Sequence, residues 1–154
     1  MEQLKQWLSD LFDGIENSEN RDVCINLIKS CGSNCAKRNV LSRMTGMKAK
    51  ISELSDMDEI TKVINQHTGA ECIPAIGGFI ITYNRGKGCD CQLVCTGYVA
   101  SPVFCNCTQG FHETVWGTIF EKPVTVELLE TFLQGGNCCS YKITINTGVE
   151  AGKR

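Results

Sequence analysis

The chain has 154 residues, 42% of them hydrophobic, with 15 basic against 17 acidic side chains and a formal charge of −2. That is enough chain for one self-supporting core, and the near-neutral balance without a basic block argues against a phosphate-tracking surface, so no nucleic-acid partner is expected. The polar, charged amino-terminal stretch and the lack of any run of about 18 apolar residues predict a cytoplasmic domain with neither signal peptide nor membrane span.

In chain order, Leu4, Trp7, Leu8, Leu11, Phe12 and Ile15 recur at helical spacing and predict a helix over 2–15. Val23, Cys24, Leu27, Ile28 and Cys31 predict a second helix that buries Cys31 and stops at Gly32. Ser33 or Asn34 would cap a third, with Ala36, Val40, Leu41 and Met44 inward and its end near Gly46. A fourth starts at a Ser55/Asp58 capping box, carries Met57, Ile60, Val63, Ile64 and His67 on one face, and stops at Gly69. The period then changes. Residues 79–83 are β-branched and aromatic, 84–88 have hairpin-loop composition, and 89–95 alternate as a return strand with Cys89, Cys91, Leu93 and Cys95 on one face. Thr108 would cap a helix with Phe111, Val115, Trp116, Ile119 and Phe120 inward, and 124–133 with 138–145 form a last hairpin. The fold expected is α+β, a single domain over 1–146: N-terminal helices on an antiparallel sheet of about four strands with an inserted helix, β-β-α-β-β, followed by a frayed tail at 147–154.

Eleven cysteines without an export signal should be mostly thiols, which raises metal ligation or thiol chemistry. Three pairs stand out: Cys31 with Cys35, Cys89 with Cys91, and Cys105 with Cys107. Each can aim two sulfurs at one point, and any two pairs would complete tetrahedral zinc. Zinc is therefore the expected cofactor, with Cys105 and Cys107 joined to Cys31 and Cys35 as the favoured set because both pairs sit beside predicted helix ends, where the macrodipole favours thiolates. Cys24, Cys72, Cys95 and Cys139 fall on apolar faces and are expected to pack as core.

An alternative is enzymatic. Cys107 would be the nucleophile, with His112 or Glu113 as base, in a hydrolase of small sulfur or amide heterocycles or a thiol-disulfide exchanger. His112 and His67 lack spacing partners, so packed or surface roles compete with ligation, and Glu113 equally suits a first-turn carboxylate. A third alternative is a dimerisation module built on the helix that contains Leu4.

Cys-Gly-x-x-Cys-Ala at 31–36, Cys-x-Cys-x-Leu-Val at 89–94 and Ser-Pro-x-x-Cys-x-Cys at 101–107 resemble an uncharacterised cysteine-rich family of small bacterial proteins, over most of the chain. Gly110-Phe111 through Phe120, then 122–130, Gly135 and 139–143 resemble the C-terminal half of the sensor domains named after vinyl reductase. Those share an architecture with TRAPP transport-particle subunits and haem-based nitric-oxide sensors. The end of the chain is similar in kind to the thiazoline-carboxylate hydrolase family. The resemblance implies an α+β fold with a hydrophobic pocket between helices and sheet, serving a small apolar or amphipathic ligand or a homodimer, sometimes with cysteine-bound metal. The function expected is a ligand-binding or sensor-like domain with a zinc site, not an enzyme.

Overall fold

A computed structural model describes residues 1–148, so all of the expected tail but Thr147 and Gly148 lies outside the described residues. Helix α1 (Glu2–Glu16) packs Leu8, Phe12 and Ile15 inward and leaves Leu4, Trp7 and Leu11 exposed.

The break expected at Gly32 does not occur: α2 runs unbroken over Arg21–Asn39. The reason is tertiary. Gly32 is buried against the first turns of a later helix, α6 (Asn106–Phe120), where a Cβ would fall on the Cys107 carbonyl oxygen; a Cβ at Gly110 would likewise fall on the Lys29 carbonyl oxygen. The paired glycines let the helices touch backbone to backbone, which outweighs the ~1 kcal/mol that glycine costs inside a helix. Ser33 therefore caps nothing, and its hydroxyl lies 2.7 Å from that of Thr114. Cys31, expected inside, is exposed, because the inward face of α2 is the one that carries Gly32 and Ala36.

A 3-10 turn (Leu41–Arg43) leads from α2 into α3 (Thr45–Ser52), so Gly46 stands at the start of a helix rather than at its end. Helix α4 (Met57–Thr68) is capped by Asp56, whose Oδ1 accepts the Asp58 N–H at 2.7 Å, one residue later than the predicted Ser55. Gly69 ends it at φ 69°, the left-handed cap expected there.

Strands β1 (Glu71–Ala75), β2 (Gly78–Tyr83), β3 (Val124–Glu130) and β4 (Cys139–Ile145) form one antiparallel sheet in the order β1-β2-β4-β3. The α+β class, the four-stranded antiparallel sheet and the final hairpin are as expected. The partner of β2 is not. Residues 89–95 form no strand: they hold a loop and a single helical turn, α5 (Gln92–Cys95). Both edges of β2 are already filled, by β1 and β4, so no position remains for them. Pro74 masks β1 in the sequence, yet it is tolerated on an edge strand where an N–H can go unpaired.

Cys72, Phe79, Ile81, Val126, Tyr141 and Ile143 of the sheet pack against Ala36, Met47, Ile51, Ile60, Ile64, Val115, Trp116 and Ile119 of the helices. A smaller cluster joins Phe12 and Ile28 to Val99 and Val103, with Phe12 edge-on to Phe104 at 5.6 Å. It ties residues 98–104 to α1 and α2. The connection from β2 to α6 is thus anchored on the N-terminal helices. Among the described residues, no helix is long and apolar enough to cross a membrane.

Candidate functional site

A cavity of about 860 Å³ opens where α2, α6, the β2–α6 connection and the sheet meet. Its wall carries Cys35 from α2, Cys89 and Cys91 from the connection, Cys105 and Cys107 at the start of α6, and Cys139 from β4. Five of the six thiols singled out from the sequence therefore share one space. Cys31 is the exception on the exposed side of α2, although its charge would be felt at Cys107. Cys139, expected as core, joins the cavity because β4 turns it to the same face as Tyr141. Cys72 is core as expected, Cys24 is half-buried, and Cys95 is exposed because its segment is a surface turn and not a strand. Among the described residues, no three His, Cys, Asp or Glu side chains stand close enough together to hold a metal ion.

The expected depression of the Cys107 pKa at a helix start is not found. Burial pushes Cys107 up to about 11, and the neighbouring Cys35, Cys91, Cys31 and Cys105 add to the rise. Cys35 lies inside α2, far from any helix start. The first turn of α6 continues a 3-10 segment (Pro102–Cys105), so the Asn106 N–H is already spent on Val103 and Phe104 carbonyls. Thr108, the expected cap, sits inside α6 and lines the cavity. Burial also raises Cys89 and Cys105. At Cys105 the Thr131 hydroxyl, buried without a nitrogen or oxygen partner, eases the rise. Cys89, Cys105 and Cys107 are thus hindered from ionising by their burial and by neighbouring thiols.

Much of the remaining lining is aromatic and apolar, with Val40, Met44, Phe104, Phe111, Val115 and Trp116 among it, while Arg43, Asn84, Asp90 and Thr108 add polar groups. His112 is buried among Tyr141, whose ring centroid is 4.5 Å away, Tyr83 at 5.6 Å, and Trp116, whose Nε1–H donates to His112 Nδ1 at 3.1 Å. Burial pushes this imidazole down to about 3. Nothing in the sequence around His112 announces this pairing except Trp116 one helical turn on. Glu113 faces the other way, with the Lys29 ammonium 2.8 Å from its carboxylate across the α2–α6 contact, and does not line the cavity. His67 lies at the exposed rim. The chain matches no protein-family model and none of the curated proteins.

Proposed function

We propose that this chain is a cytoplasmic binding domain whose cavity takes a small apolar or amphipathic molecule, with a zinc ion held by thiolates of the same wall. The observation that carries the reading is the convergence of six cysteines from four stretches of chain on one cavity with an aromatic floor. Pockets of several hundred Å³ with mostly apolar walls and a few polar groups are what small-molecule sites require. Of the thiols electrostatically coupled to Cys107, Cys35, Cys91 and Cys105 share its wall, so zinc would draw its ligands from these four, whose side chains must close up around the ion because no three of them stand near enough as they are. A thiophilic divalent cation supplies the charge that lets crowded, buried thiols give up their protons.

The catalytic alternative finds less support. A neutral imidazole has one acceptor nitrogen, and that of His112 is taken by Trp116. Glu113 is engaged by Lys29, and the Cys107 thiol is held protonated. A homodimer would use the exposed face of Leu4, Trp7 and Leu11 on α1, and sedimentation of the wild type against Trp7→Glu checks it.

Metal analysis of protein purified without a histidine tag tests the central reading. About one zinc per chain is expected, lost in Cys107→Ser and Cys35→Ser. Freely titratable thiols at substoichiometric zinc would refute it.

A further inference from the structure

The donor pattern on the aromatic floor narrows the ligand class, and this step rests on the cavity being a small-molecule site. Trp116 Nε1–H can only donate, so His112 Nδ1 must be the bare nitrogen and Nε2 must carry the proton. The imidazole is thereby fixed as a donor to whatever the cavity holds. Tyr83 stands beside it, with rings 29° from parallel and centroids 5.6 Å apart, and both residues line the cavity. The Tyr83 hydroxyl has no hydrogen-bond partner among the described residues, and burial keeps it protonated. Two donors carried on neighbouring rings in one cavity wall suit the two lone pairs of one sp² oxygen.

Charge decides between kinds of oxygen. Burial keeps His112 neutral, and the cation at the cavity, Arg43, is exposed and donates to the Asn39 carbonyl oxygen at 2.6 Å. A carboxylate would be stripped of water against two neutral donors, and a zinc ion in the wall would already be neutralised by its thiolates, whereas a neutral carbonyl loses little. Val40, Met44, Phe104 and Phe111 offer surface for a flat apolar body beside these donors.

We propose that the cavity selects flat apolar molecules bearing a neutral carbonyl oxygen, which accepts from His112 Nε2–H and Tyr83 O–H.

Two measurements test this. Nitrogen-15 correlation spectra of the free protein are expected to show the Nε2–H tautomer for the histidine that His112→Phe removes; an Nδ1–H tautomer overturns the proposal whatever binds. Calorimetry then compares acetophenone with α-methylstyrene, a molecule of nearly the same size that lacks the acceptor, and with benzoate. Acetophenone is expected to bind about tenfold tighter than either, the preference shrinking to about threefold in Tyr83→Phe. Equal binding of acetophenone and α-methylstyrene would overturn the donor assignment while leaving the cavity a ligand site. Binding of none of the three at millimolar concentration would overturn both.

Discussion

His112 resists protonation in the folded chain down to about pH 3, because its ring is buried among Tyr83, Tyr141 and Trp116, while in the unfolded chain it titrates near 6.5. As the pH falls below 6.5 the unfolded state takes up a proton that the native state cannot, so stability drops, by about 3 kcal/mol at pH 4.5. Urea unfolding from pH 7 to 4.5 is expected to show this slope in the wild type and to lose that part of it in His112→Phe. The variant's overall level also falls, since Trp116 Nε1–H is left without its acceptor, so the slope is the diagnostic quantity. The thiols follow the opposite logic. Burial pushes Cys72 up to about 12 and Cys107 up to about 11, whereas Cys31 and Cys95 are exposed. In metal-free protein at pH 7.5, mass-resolved alkylation is expected to mark Cys31 and Cys95 first and Cys107 at least ~10-fold more slowly, with Cys72 last. Fast labelling of Cys107 would restore the nucleophile reading.

At the scale of elements, the α2–α6 contact sets the cavity, because Cys35 and Cys107 stand on the two helices that Gly32 and Gly110 bring together. Alanine ordinarily gains ~1 kcal/mol over glycine inside a helix. Here the sign reverses: Gly32→Ala or Gly110→Ala places a methyl group on a carbonyl oxygen, and a loss of about 3 kcal/mol is expected in denaturant titrations. Gly14 of α1, with open space at its Cβ position, is the control, where Gly14→Ala is expected to be neutral or stabilising. These glycines also show what the sequence conceals. Periodicity locates α1, α4 and the β3–β4 hairpin because their signals are local: apolar spacing, a glycine cap and alternation. Gly32 carries the same letters as a helix stop, and only the approach of α6, some 75 residues on, turns it into a packing position. Residues 89–95 mislead in the same way, since their alternation is that of a strand but β1 and β4 already flank β2.

For the whole molecule, the gathering of paired cysteines was legible because short Cys-x-Cys spacings survive any fold that brings their segments together. The position of Cys139, the outward turn of Cys31 and the His112–Trp116 pair were not, since each depends on which face a neighbouring element covers. The main core, from Met47, Ile51 and Ile64 to Phe79, Ile143 and Trp116, forms a continuous cluster that includes none of the proposed zinc thiols, so the fold should stand without metal. A structural zinc that organised the chain would leave it unfolded when removed. Here chelation is expected to leave far-UV circular dichroism intact and a cooperative transition in place. Zinc at about 100 times its dissociation constant would raise Tm by roughly 5 to 10 °C. Because burial keeps Cys105 and Cys107 protonated at neutral pH, zinc binding to them must release protons. Its affinity should climb with pH up to the raised thiol values, by about tenfold per unit for each proton displaced. The metal-free protein runs the other way: above pH 9 the unfolded thiols ionise and the buried ones do not, so stability falls as the pH rises toward 11 or 12. Melting curves from pH 6 to 10, with and without zinc, should therefore diverge on the alkaline side, and parallel curves would show that the metal does not engage the buried thiols.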